Sequence, residues 1–216
     1  MKNLVLVFFF TCIISITLFA QHEREYSQIK LRLSTGLSIP MGDFASVSGE
    51  KAGLATPGLL GMLELTQPMS EILDLTLLTA VAHNGLNVYK IEESLSQFIS
   101  PVFVNSCSYY TTWVLPGLQL SHATFENTRI YLSGNLGLLF SSFPDITIRY
   151  QEETATQEYK SNLALGFGLG AGFQYHFVNA GVRYLTGTPK IKTNPENGQS
   201  ADVPISVLLV VIGVTF

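Results

Sequence analysis

The chain has 216 residues, of which 13% are charged and 47% apolar, with a formal net charge of −4. Charged residues stand at about half their usual ~25% share while apolar content is ordinary, so Gly, Ser, Thr and Asn fill the difference, a composition of turns and pleated strands. The acidic balance offers no basic stripe for phosphates, so no nucleic-acid partner is expected, and the length suits one domain or one small barrel.

Residues 1–20 are a different material. Lys2 supplies a positive start, Leu4 to Phe19 an apolar run, and Ala20 a small residue before Gln21. This reads as a secretory signal peptide, 1–20, cleaved after Ala20 and followed by a short lead, 21–27. Leu18 is larger than the residue usual two positions from the cut, and an uncleaved anchor is the rival reading. Cys12 lacks the small preceding residues of a lipoprotein site and leaves with the signal. The exported chain then holds Cys107 alone, so stability must come from strand pairing and packing and not from an internal disulfide.

Eight strands follow over 28–216. From Gln28 to Ile39 the sequence alternates, with Ile29, Leu31, Leu33, Leu37 and Ile39 opposite Lys30, Arg32, Ser34 and Ser38. This is a two-faced strand, and Pro40 to Asp43 ends it. The second strand, Leu54 to Thr66, sets Leu59, Leu63 and Leu65 against Met62 and Glu64, and ends in the short turn Gln67 to Ser70. The third, Glu71 to His83, sets Leu73, Leu75, Leu77 and Val81 against Asp74, Thr76 and Ala80; an irregular segment, Asn84 to Ser106, comes next. The fourth, Ser106 to His122, carries Val114, Leu118 and Leu120 opposite Trp113, Gln119 and Ser121. Pro116 within it predicts a bulge or a missing ladder bond.

The fifth strand follows the turn Ala123 to Asn127 and alternates Ile130, Leu132, Leu136, Leu138 and Phe140 against Arg129, Tyr131, Ser133, Asn135 and Gly137; Pro144 to Lys160 is then a polar loop. The sixth places Leu163, Leu165, Phe167, Leu169, Phe173 and Tyr175 opposite Ala164, Gly166, Gly168, Gly170, Gly172 and Gln174. Glycine at every second position implies close approach on that side. A turn at His176 to Asn179, a seventh strand at Ala180 to Leu185, a loop at Thr186 to Ala201 and a final strand of Asp202 to Phe216, "DVPISVLLVVIGVTF", complete the chain. The last strand is too short for a membrane helix and rich in β-branched residues.

Long connections follow the odd strands and tight turns the even ones. This is the plan of an eight-stranded antiparallel up-and-down transmembrane β-barrel, with short periplasmic turns, long outer loops and an apolar outside. Aromatics fall near both rims: Phe125, Phe177, Tyr184 and Phe216 at the turn end, and Tyr89, Phe103, Tyr110, Phe140, Phe143 and Tyr159 at the loop end. Headgroup depth favours two such girdles.

The segments "LFAQ", "GLSIPMGDF", "LGFGLGAGFQY" and "GVTF" together resemble the small outer-membrane β-barrel proteins of the OmpA/OmpX-like and PorT-like groups of Bacteroidota, over about Lys30 to Phe216. The resemblance implies outer-membrane lipid as surroundings and the barrel-assembly machinery as a partner during biogenesis. A C-terminal aromatic with alternating apolar residues is that machinery's signal in the family, and Ile212, Val214 and Phe216 would carry it. Val207, Leu209 and Val211 would face the lumen, which the family usually keeps more polar.

Other chemistry is weakly signalled. "GFGLGA" fits G-x-G-x-x-A, but a dinucleotide fingerprint needs a strand-to-helix turn and these glycines keep period two inside a strand. His22, His83, His122 and His176 are too scattered for a metal, with the last two expected at turns, and Asp145, Glu152, Glu153 and Glu158 lack calcium-loop spacing. They read as solvated surface, and no metal or cofactor is expected.

Lys30, Arg32, Glu64, Asp74, Arg129 and Arg183 fall on the inward face and form a candidate lumen cluster, either plugging the barrel through ion pairs or snorkelling to water. An eight-stranded barrel is only wide enough to be filled by side chains. The expected role is therefore structural or interactive, with outer loops presented to an extracellular or envelope partner, both termini periplasmic, and no general-diffusion pore. The alternatives are a lipid-modifying acyl hydrolase at the outer rim, using His83 with Ser141 or Ser142, and a soluble, secreted lipocalin-like binder.

Overall fold

A computed structural model describes residues 28–49, 52–97, 102–125, 127–150, 153–157, 162–192 and 200–216. The signal peptide, the lead, His22, Glu152, Glu158 and Tyr159 lie outside them. The strands are β1 (Lys30–Pro40), β2 (Ala55–Pro68), β3 (Leu73–Leu86), β4 (Val102–Ser106), β5 (Tyr109–Phe125), β6 (Thr128–Ser142), β7 (Ile146–Tyr150), β8 (Glu153–Gln157), β9 (Asn162–Tyr175), β10 (Val178–Gly187), β11 (Lys190–Lys192), β12 (Ser200–Asp202) and β13 (Ile205–Thr215). One helix, α1, spans Val88–Ser96.

Eight strands close into an antiparallel barrel in the order β1-β13-β10-β9-β6-β5-β3-β2. Each strand pairs with its sequence neighbours within the barrel, and β13 closes the ring on β1 from Arg32↔Thr215 to Pro40↔Val207. The fold is thus an all-β, eight-stranded up-and-down barrel, and closure leaves its wall without an unpaired edge. Both chain ends of the barrel lie at the short-turn end, where Leu31 and Phe216 exchange backbone hydrogen bonds of 3.1 and 2.8 Å.

Alternation decides which side chain goes where, since successive residues of a strand point to opposite faces. Leu33, Leu37, Leu59, Leu132, Leu136, Leu165, Leu169 and Ile212 stand on the outside, Leu165 73% exposed, while Arg32, Glu64, Asp74, Trp113, Asn135 and Arg183 are buried inside. The inner glycines of β9 make room for the large inward side chains of their neighbours. A Cβ on Gly166 would lie 3.0 Å from the Trp113 ring, and one on Gly168 2.8 Å from Leu185.

Pro116 sits in β5 without a bulge. It pairs with Leu77 of β3, while the ladder to β6 passes from Val114↔Leu138 to Gly117↔Asn135 with no change of register, omitting Leu115 and Pro116. The missing N–H explains the gap, and Gly137 accommodates the ring, because a Cβ there would come within 3.0 Å of Pro116 Cδ.

The long connections depart from the sequence reading. The segment read as irregular, Asn84 to Ser106, holds the end of β3, α1 and β4, and the polar loop Pro144 to Lys160 holds β7 and β8. Together β4, β7 and β8 form a three-stranded sheet beyond the barrel. The loop Thr186 to Ala201 likewise contributes β11 and part of β12 as a two-stranded ribbon. Their strands run only three to five residues, too short for a decisive alternation.

Three side chains are also placed differently. Phe143 is no girdle residue but packs inward on Tyr109, with ring centroids 5.7 Å apart, because the chain turns over the mouth after β6. Tyr184 lies midway along the wall, opposite Leu169 and Leu208, since β10 begins earlier and ends later than the sequence suggested. His122 stands on the outer face inside β5, because the hairpin turn falls nearer Asn127, whose φ of 64° is left-handed. His176 does occupy a turn, with φ 52°.

Candidate functional site

Two tiers of inward side chains fill the barrel. The polar tier, nearer the short-turn end, begins with the pairing of Arg32 and Glu64 directly opposite each other on β1 and β2. Arg32 Nη1 donates to Glu64 Oε1 at 2.5 Å, and both side chains are shut off from solvent. The other carboxylate oxygen, Glu64 Oε2, accepts from Arg183 Nη2. Arg183 reaches it from β10, which β1 and β13 separate from β2 in the wall. Its second terminal nitrogen donates to Ser133 Oγ at 3.1 Å.

Tyr131 supplies the face on which both guanidiniums rest. The Arg32 guanidinium carbon lies 4.4 Å from the ring centroid and that of Arg183 6.0 Å, within the range at which a cation is attracted to the ring quadrupole. Asp74 closes the tier. Its Oδ2 accepts from Gln119 Nε2 at 3.0 Å and Ser121 Oγ at 2.9 Å, and Gln119 Oε1 accepts from Arg32 Nη1 at 3.5 Å. Two cations and two carboxylates are therefore dehydrated and linked, the condition under which buried charge is tolerated.

Of the six residues in the expected cluster, the structure brings four together: Arg32, Glu64, Asp74 and Arg183. Lys30 and Arg129 are half-buried at the short-turn end. Sequence reasoning missed Tyr131, Gln119, Ser121 and Ser133 as partners. The signal was present, since all four lie on the inward face by alternation, and Asp74 and Gln119 are direct cross-strand neighbours. Contact between Glu64 and Arg183 carries no such signal, because it crosses the lumen.

The apolar tier lies toward the long-loop end and contains Leu60, Leu78, Trp113, Leu115, Leu139, Leu185, Val207 and Leu209, all almost fully buried. Val207, Leu209 and Val211 do face inward. Phe44, on a single 3-10 turn in the first long connection, is fully buried over this tier and meets Tyr109 edge-on at 5.0 Å. Asn84 seals the wall nearby, donating to the carbonyls of Ser38 and Thr56 at 3.1 Å each, where the β2 register shifts between Ala55 and Gly58.

At the long-loop rim, His83 and Ser141 are on opposite sides of the wall: His83 is on the outer face, and Ser141 is buried inside. Ser142 shares the outer face with His83, but Tyr110 stands between them in the ladder, its ring 4.7 Å from the imidazole. Among the described residues no three His, Cys, Asp or Glu side chains gather as metal ligands. Ile212, Val214 and Phe216 share the outward face of the last strand, and Phe216 is 71% exposed.

No protein-family model and no curated protein matches the chain. Among solved structures it is similar to Ail, the attachment invasion locus protein of Yersinia pestis, in complex with the heparin analogue sucrose octasulfate, at 14% identity and a TM-score of 0.48 over 88% of this chain and 99% of that one. A major outer membrane protein from Thermus thermophilus is similar at 11% identity and a TM-score of 0.46, over 88% and 99% of the two chains. Neisserial surface protein A is similar at 11% identity and a TM-score of 0.43, over 87% and 97%. The likeness is one of barrel architecture.

Proposed function

We propose that this chain is an integral outer-membrane barrel with a structural or interaction role. Its short turns and both termini face the periplasm, and its long connections present an ordered surface to an extracellular or envelope partner. One observation carries the reading: the closed wall bears a belt of outward Leu, Ile, Val and Phe, while the charged side chains of the barrel strands, Arg32, Glu64, Asp74 and Arg183 among them, point inward. In water that belt would be an aggregation hazard far beyond the patches soluble monomers expose. In lipid it is the required surface, and this argues against the soluble lipocalin-like reading.

The filled interior supports a plug and not a general-diffusion pore. A rim hydrolase finds no support in the geometry of His83 with Ser141 or Ser142, so the proposed role is non-catalytic, and Ile212, Val214 and Phe216 would serve as the assembly signal toward the barrel-assembly machinery. Fractionation tests the reading. The mature protein is expected in the outer-membrane fraction, extractable only by detergent and migrating faster on a gel unheated than boiled. Recovery as a detergent-independent soluble protein would overturn it.

A further inference from the structure

Above the apolar tier the barrel mouth holds a cavity of about 220 Å³, lined chiefly by Leu54, Leu86, Tyr109, Phe143, Ile191 and Val203. Among the described residues no charged side chain lines it. Its aromatic wall is fixed: Tyr109 meets Phe143 edge-on at an interplanar angle of 79° and Phe44 at 76°, and its hydroxyl donates to Gly53 O at 2.6 Å. The cavity has no exit through the barrel, since Trp113, Leu115 and Leu139 are fully buried in the tier below.

Enclosed apolar cavities of about 150 Å³ admit benzene-sized guests, and this larger, mainly apolar one is open on its mouth side, which gives such a guest a way in. The rings offer edges and faces to another ring, in the geometry that aromatic pairs prefer. We propose that this cavity is a binding site for a small uncharged apolar molecule about the size of one aromatic ring, held at the mouth and not passed through the barrel. A charged molecule of the same shape is disfavoured, because no described lining residue carries a charge to compensate its desolvation.

Fluorobenzene is a suitable probe, titrated into the purified full barrel in lipid nanodiscs and followed by fluorine NMR. One saturable site per barrel is expected above the partition seen with empty nanodiscs. Val203→Trp and Ala52→Phe, both of which fill the cavity, should each weaken binding tenfold or more while the barrel remains heat-modifiable, and fluorobenzenesulfonate should not bind. Equal signals from the unaltered barrel, the filled variants and empty nanodiscs would mean partition into lipid only and overturn the proposal. If neither filled variant folds, NOEs between fluorobenzene and the methyls of Leu54 and Ile191 in the unaltered protein decide the matter: their presence supports the site and their absence refutes it. The measurement uses purified protein, so its failure is distinct from failure of the localisation reading.

Discussion

Glu64 is held between two guanidiniums, and this makes the three residues unequal. Removing Glu64 strands two buried cations, whereas removing Arg32 leaves the carboxylate paired with Arg183. Breaking a buried pair from one side costs about 3–5 kcal/mol, so Glu64→Ala should lower stability in detergent by at least that much, and Arg32→Ala by less. In the double variant, loss of Arg32 relieves part of the damage, giving a coupling term in the range of about 0.5–3 kcal/mol typical of contacting residues. Urea titration of heat-modifiability measures all three, and strict additivity would mean that the charges are hydrated. Tyr131 separates ring from hydroxyl. Its buried hydroxyl has no hydrogen-bond partner among the described residues, so Tyr131→Phe should be neutral or stabilising, since it removes an unsatisfied polar group. Tyr131→Ala, which removes the surface under Arg32, should be clearly less stable in the same titration.

At the scale of elements, lipid outside and packed side chains inside predict an asymmetric response to charge. Leu169 is opposite Tyr184 and Gly134, midway along the wall, where an outward Arg costs about 2–4 kcal/mol. Leu165 is nearer the long-loop rim, so Leu165→Arg should cost less, and Gln174→Arg, inward at the wet short-turn end, least of all. Folding yield in lipid vesicles should rank the three in that order, and equal yields would refute the assigned faces. Strands such as β6 and β9 were legible because ten or more residues of strict alternation outvote any local irregularity, and the Arg32–Glu64 contact followed from simple hairpin register. The elements over the mouth were not legible. Val104 of β4 is held partly by a hydrogen bond of 2.8 Å from its backbone N–H to Glu92 of α1, and β4 pairs with β7 across the whole β5–β6 hairpin. Nothing within a five-residue window such as Val102 to Ser106 encodes partners so distant. Arg183 was found as an inward charge but not as a partner of Glu64, for the same reason.

For the whole molecule, the decisive property is which end faces out. Charge is buried toward the short-turn end and the mouth at the other end is capped by Phe44 and roofed by short sheets. The long connections also carry more than half of the charged residues of the chain, as suits segments presented to water. Cys107 provides the test, since it is exposed between β4 and β5 on the long-loop side and is the single cysteine of the chain after residue 20. A membrane-impermeant maleimide should label it on intact cells. Met69 lies in the short connection between β2 and β3 and is 63% exposed, so Met69→Cys in a Cys107→Ser background should react only after the outer membrane is permeabilised. Both sites are open in the folded barrel, so reactivity reports the side of the membrane and not burial. The reverse pattern, with position 69 labelled on intact cells and Cys107 protected, would invert the topology and remove the long connections as a surface for extracellular partners.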